Sequence, residues 1–315
     1  MHDDHTEASR PQGRRTAGRI RRVRARLAPY LLALPAALLV AVFAYGVAGG
    51  MLQGLGIMPF LGMDTPTLDY YVQALTRPDL LSSLGYSVYL ALASAAIALL
   101  GGVALAAALV RCGRGRFARL VALQVPIMTM HALVALAVSF VFSGSGLAAR
   151  LLHLAGLVDT PADFPSVVGA PSGWGIVAVY VWKEIPYVAF CTVAVMAHVS
   201  DALGEAAATC GASPRRAFFG VTLPLCLPSA LRAFLVVFVF ALGSYEVPFL
   251  LGATTPKALP VLAYIEFQDP DIANRCYAMA LNGIATLVCS LAALAYFALL
   301  LREERRREGA VVRRG

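Results

Sequence analysis

Charge is what this sequence has least of. Asp, Glu, Lys and Arg make up 14% of its 315 residues, where a soluble domain carries about 25%. Between Leu81 and Val110 there is no Asp, Glu, Lys, Arg or His at all. About 20 apolar residues suffice to cross the roughly 30 Å of bilayer hydrocarbon, so this run predicts a transmembrane helix and removes the soluble function classes. Lysine is nearly missing: Lys183 follows a Trp and Lys257 follows a Pro. Neither can serve as the lysine of a phosphate-cradling P-loop, which excludes nucleotide hydrolysis from this chain. H-E-x-x-H, C-x-x-C and G-x-S-x-G are also absent, so zinc, thiol-redox and serine-nucleophile chemistry lack their residues and no cofactor or metal is expected. Cysteine is sparse and scattered over Cys112, Cys191, Cys210, Cys226, Cys276 and Cys289. In the topology below only Cys276 approaches the outer face, which leaves it no partner for an intrachain disulfide.

What is there is apolar sequence, 59% of the chain. Six runs predict spans at about 28–49, 87–110, 119–142, 174–197, 225–250 and 277–301. The first is too long for the apolar region of a signal peptide and reads as an uncleaved span. Leu68–Leu84 predicts an interfacial helical stretch ahead of the second span. The Gly- and Pro-rich segment 144–173 predicts a loop with one short helix. Pro35, Pro126, Pro186 and Pro248 fall within spans, where they kink helices and free carbonyls.

The basic residues set the orientation. Of 26 Lys and Arg, 20 cluster on one side: in the arm before the first span, in the 111–119 loop, at Arg215 and Arg216, and in the tail. The other side has Arg77, Arg150, Lys257 and Arg275. Positively charged loops stay inside, so both termini are expected in the cytoplasm. The net charge of +8 is thus a membrane-topology signal and not a nucleic-acid one. The expected class is an all-α integral membrane protein with six transmembrane helices. It comprises a basic arm over 1–27, a membrane domain over 28–301 and a charged tail over 302–315.

One inner loop, residues 198–224, differs from the others. Asp201 is placed to cap a first short helix, with Glu205 adding negative charge near its positive end. Gly211 sits where a left-handed C′ glycine ends it. Ser213-Pro214 offers an N-cap and a first-turn proline for a second helix, which Leu223-Pro224 is expected to close. Small alanines on such helices suit close packing against another protein.

Glu205-Ala206-Ala207, three residues, Gly211, nine residues, Val221, one residue, Leu223-Pro224 resembles the "EAA" loop of binding-protein-dependent ABC importer permeases. Thr67-Leu68-Asp69-Tyr70-Tyr71 is similar to their T-L-x-N-Y segment, with one departure. Trp182-Lys183-Glu184-Ile185-Pro186-Tyr187 is similar to their W-K-x-x-P-F stretch. The likeness spans roughly 65–300. It implies that the loop is a coupling helix docking into a cytoplasmic ABC ATPase, with Glu205, Ala206, Ala207 and Gly211 as coupling positions. It also implies half of a translocation pathway in the bacterial inner membrane, completed by a second permease subunit and fed by a periplasmic substrate-binding protein. The stretch Gly243–Gly252 and the Cys210 that precedes Gly211 resemble the polyamine, phosphonate and ferric-iron branch, which implies a heterodimeric pore and a polyamine-like solute.

Charges inside spans are costly, about 2.5–3.5 kcal/mol each on insertion scales, and mark functional candidates. Lys183 and Glu184 fall in the outer half of the fourth span and Glu246 in that of the fifth. Neighbours on one helix do not face each other, so Lys183 is expected to pair with Glu246. These three are the candidate pathway residues. His131 reads as a core histidine, and Arg232 as a side chain snorkelling to the interface. A secondary transporter is the alternative reading, but it predicts an inverted repeat that the sequence does not display.

Overall fold

The computed structural model describes residues 13–312 apart from 112–115, 161–162, 166, 201–202 and 204. The chain forms two compact units, divided after Leu52. The first contains most of α1 (Gly13–Gly54), a single helix that runs from the basic arm into the apolar stretch Leu32–Gly54.

The second unit holds α2 (Asp69–Thr76), α3 (Pro78–Arg111), α4 (Arg116–Met128), α5 (His131–Phe142), α6 (Leu147–Leu154), α7 (Trp174–Val199), α8 (Glu205–Thr209) and α9 (Pro214–Ala217). A π-helical turn over Phe218–Thr222 leads into α10 (Leu223–Gly243), α11 (Glu246–Leu251), α12 (Leu259–Phe267) and α13 (Asn274–Val312). Among the described residues, six helical stretches are long and apolar enough to cross a membrane. Among the described residues there is no strand beyond an isolated Met58–Met63 bridge.

The core is built on α3, α7 and α10. On α3 the buried Ala91, Ala95 and Ala98 recur at helical spacing and meet Ile176, Val177, Tyr180 and Val188 of α7, with Ala233 and Val237 of α10. Between lipid-bathed helices, association depends on close van der Waals contact, which small residues permit. Gly102 lets α3 and α7 approach closely: a Cβ there would stand 2.5 Å from the Val188 Cβ. A second cluster joins Ala74, Leu80, Leu259, Leu262, Tyr277 and Leu281. There the Ser87 hydroxyl accepts from the Leu259 N–H at 2.7 Å and so fixes the start of α12 to α3.

Several expected boundaries move, each for a local reason. The second span starts at Pro78 rather than 87, and the stretch expected over Leu68–Leu84 is divided between α2 and α3. Arg77 precedes a proline, takes the extended conformation (φ −67°, ψ 126°) and ends α2, while Pro78 opens α3.

The third span, expected as one helix over 119–142, breaks at Thr129-Met130. Pro126 lacks the N–H that would continue the ladder, and the Thr129 hydroxyl donates back to the Val125 carbonyl at 2.7 Å. The fifth span breaks at Ser244-Tyr245, which places Pro248 in the first turn of α11, where no N–H is needed.

Pro224 does not close the helix of the inner loop. α9, the π turn and α10 run on without a gap, and the wide turn, sealed by the Leu223 N–H on the Phe218 carbonyl, leaves Pro224 in the first turn of α10. Pro228 is a further in-helix proline. The short helix expected within 144–173 is α6. Cys191, Cys210, Cys226, Cys276 and Cys289 are free thiols, and Cys112 lies outside the described residues.

Candidate functional site

Two regions carry the residues singled out by sequence. The first is the loop around α8 and α9. Glu205 is the first residue of α8, and Asp201, its expected cap, lies outside the described residues. The Cys210 N–H bonds the Ala206 carbonyl at 3.1 Å and the Ala212 N–H reaches the Ala207 carbonyl at 3.0 Å. Gly211 adopts φ +80°. This six-to-one closure over a left-handed residue is a Schellman ending, so Gly211 is there for its backbone. Among the described residues, none beyond its two chain neighbours comes within 4 Å of a Cβ built on it, so on that side the tip of the turn is open. Ser213 caps α9: its hydroxyl accepts from the Arg216 N–H at 3.5 Å, with Pro214 in the first turn.

The loop is tied to the spans behind it. The Arg111 guanidinium at the end of α3 lies 5.7 Å from the centre of the Phe218 ring. Phe218 also packs on the cluster of Ala106, Leu109, Met196 and Cys226, which brings together the ends of α3, α7 and α10.

The second region lies where α7 crosses the break in the third span. Lys183 and Glu184 are 5% and 9% exposed. The Lys183 ammonium donates to the Thr129 carbonyl, which the break leaves without a helical N–H, and stands 3.1 Å from His131 Nδ1. An ammonium can only donate, so Nδ1 accepts and the ring proton sits on Nε2, 3.3 Å from Glu184 Oε1. His131 thus bridges two adjacent residues of α7 that cannot face each other, and it tilts against Phe240 with ring centres 4.7 Å apart. A cavity of about 220 Å³ opens here, lined by Ile127, His131, Lys183, Glu184, Tyr187 and Phe240 among others.

Lys183 does not pair with Glu246. Among the described residues the ion pairs within 4 Å join Arg77 to Asp79 and Arg77 to Glu266, while the neutral His131 ring meets Glu184 through a hydrogen bond. Glu246 begins α11, beyond the break in the fifth span, and is exposed. The expectation failed because it assumed an unbroken fifth span and gave His131 no charged partner. The proline at 126 was the available signal: a freed carbonyl beside a histidine attracts the nearest cation.

A third polar network went unnoticed in the sequence. Arg77 donates to Glu266 Oε1 at 2.5 Å and to the Tyr277 hydroxyl at 3.0 Å, and the Asn274 amide donates to Glu266 Oε2 at 3.0 Å. Burial alone would raise the Glu266 carboxyl, but the hydrogen bonds from Asn274 and Arg77 and the charges of Arg77 and Lys257 outweigh it and hold the group below its usual value.

Comparison with known proteins places this architecture. The putrescine transport system permease protein PotI of Escherichia coli K12 is 25% identical over 251 residues, 76% of this chain and 79% of its own. The molybdenum transport system permease protein ModB of Mycobacterium tuberculosis is 27% identical over 226 residues, 70% and 80% of the two chains. The diacetylchitobiose uptake system permease protein DasB of Streptomyces coelicolor is 27% identical over 301 residues, 88% of each. In fold, the chain resembles a bacterial ABC transporter involved in the import of the acidic polysaccharide alginate, with a TM-score of 0.70, 20% identity and coverage of 90% of this chain and 99% of that one. The family described as "binding-protein-dependent transport system inner membrane component" matches residues 102–306. The chain belongs to that family: it is a multi-pass inner-membrane permease subunit of a binding-protein-dependent ABC importer, in which a partner subunit hydrolyses ATP.

Proposed function

We propose that this chain forms one half of the translocation pathway and receives the ATPase stroke through Glu205, Ala206, Ala207 and Gly211. The observation that carries this reading is the loop itself. α8 and α9 are separately capped, present an open turn at Gly211, and are joined through the π turn to α10 without a flexible linker. A push on such a loop moves the fifth span as a lever, and the Arg111–Phe218 contact passes it to the second.

Both termini, the arm over 1–27 and the tail over 302–315 lie in the cytoplasm in this reading, as the distribution of arginine supports. The second half of the pore is a different permease, and a periplasmic binding protein delivers the solute. The test is substrate-stimulated ATP hydrolysis by the assembled importer. Glu205→Ala and Gly211→Arg should uncouple hydrolysis from uptake at normal membrane levels; wild-type uptake by either variant rejects the assignment.

The solute we assign is a small polyamine-like cation, with Lys183, Glu184 and Glu246 along its route. The similarity to a putrescine permease supports this, as does the aromatic and carboxylate lining of the fourth and fifth spans. A second reading, an oxyanion, draws on the buried ammonium of Lys183 and the molybdenum permease relatives. Uptake of labelled putrescine, competed by spermidine or by molybdate, separates the two.

A further inference from the structure

The missing Lys183–Glu246 pair leaves an uncommitted carboxylate. Lys183 is occupied by Thr129 and His131, and Glu184 by His131. Glu246, at the start of α11, keeps no ion pair among the described residues.

Three other features meet at the same break in the fifth span. First, α10 ends there uncapped: among the described residues no backbone N–H outside the helix is donated to the carbonyls of Ala241, Leu242 or Gly243. These carbonyls carry the negative end of a 21-residue helix dipole. Second, Tyr180 of α7 is fully buried, and its hydroxyl lies against the Ser244 side chain and within the field of Glu246. It nevertheless makes no well-formed hydrogen bond, and a buried hydroxyl left so is costly unless something completes it. Third, Tyr245 stacks on Tyr264 with ring centres 4.9 Å apart, and Phe249 meets Tyr264 edge-on at 5.5 Å. Tyr245 and Phe249 remain 40% and 51% exposed.

These groups share one chemistry. Helix C-terminal carbonyls and a carboxylate accept hydrogen bonds and attract positive charge, a phenol can accept, and aromatic faces draw cations electrostatically. Among the described residues no cationic side chain forms an ion pair with Glu246 within 4 Å. We propose that the α10–α11 break is a recognition site for a primary alkylammonium group. Glu246 is its counter-ion, the terminal carbonyls of α10 and the Tyr180 hydroxyl accept its N–H bonds, and the exposed rings of Tyr245 and Phe249 flank its alkyl chain. The hydrogen bonds of the Lys183 ammonium go to Thr129 and His131, so it reaches Glu246 only through its field and leaves the carboxylate oxygens to the substrate cation. This inference rests on the polyamine reading but adds a place and a set of contacts to it.

The test uses the whole importer, full-length chain with its partner subunits, reconstituted in lipid nanodiscs. Binding of labelled putrescine and of propylammonium is measured beside the neutral 1,4-butanediol. Both ammonium ions should bind and the diol should not. Glu246→Gln should weaken ammonium binding by about tenfold, as expected for losing a charge-assisted hydrogen bond. Tyr180→Phe should weaken it less, and Glu246→Asp should retain most of it. Thermal melting of each variant distinguishes loss of binding from loss of folding. Ammonium binding unchanged by Glu246→Gln, or diol binding as tight as putrescine, overturns the site even where the importer transports putrescine. Glu246-dependent ammonium binding in an importer that moves no polyamine supports the site and rejects the substrate reading. No ammonium binding to the wild type overturns both.

Discussion

Arg77 and Glu266, 189 positions apart in sequence, meet at 2.5 Å. Their contact joins the turn between α2 and α3 to the end of α12, and Tyr277 extends it to α13. Arg77 and Glu266 therefore hold together three elements of the second unit.

That contact makes the assembly acid-sensitive in a defined direction. The Glu266 carboxyl is held below its ordinary 4.5, so its stabilising contribution is complete above that value. It is lost as pH falls through the depressed folded-state value. Melting temperature of the purified protein should therefore drop as pH falls below about 4.5, and Glu266→Gln should lower it at neutral pH while flattening the acid slope. A Glu266→Gln protein with the wild-type pH profile would show that the carboxyl does not drive it.

The buried cluster predicts which charges are coupled. Lys183→Met leaves the Thr129 carbonyl and His131 Nδ1 without their donor, and should cost about 1–3 kcal/mol for each buried group left unsatisfied. A double-mutant cycle between Lys183 and His131 should give a coupling of about 0.5–3 kcal/mol. The same cycle between Lys183 and Glu246 should be additive to within about 0.5 kcal/mol. Reversal of that order would place the Lys183 ammonium at Glu246 and contradict the geometry at the break.

Gly211 offers a test of conformation against packing. Its φ of +80° disfavours β-branched residues, while Asn tolerates the left-handed region. Gly211→Val should reduce transport-coupled ATP hydrolysis more than Gly211→Asn. Equal loss in both would mean that the open tip is needed for close approach of the partner rather than for the turn.

Topology reporters check the orientation. Fusions after Arg116 and Arg307 should report cytoplasm, and fusions near Asp163 and Asp269 should report periplasm. An external signal at Arg116 would invert the orientation and with it the assignment of the coupling loop.

Six apolar stretches, the capped loop at Gly211 and Ser213, and the lack of a P-loop lysine were all legible in the amino-acid sequence. Each rests on local physics: hydrocarbon thickness sets the length of an apolar run, a left-handed turn calls for glycine, and a helix start calls for a hydroxyl and a proline. The partners of Lys183, Glu184 and Glu246 were not legible, because pairing depends on how helices rotate and where they break. Pro126 could be read as a kink. That the break after it would leave the Thr129 carbonyl to Lys183, and that His131 would then bridge Lys183 to Glu184, depended on α7 crossing the break. Pro224 was misjudged for the same reason: its tolerance was decided by a π turn that only the packed helix defines. Composition thus determined the membrane and the spans, and the resemblance of the 198–224 loop pointed to the family. The tertiary structure alone decided which partners the buried Lys183 and Glu184 take, since a desolvated charge takes the nearest partner in space and sequence distance does not measure that.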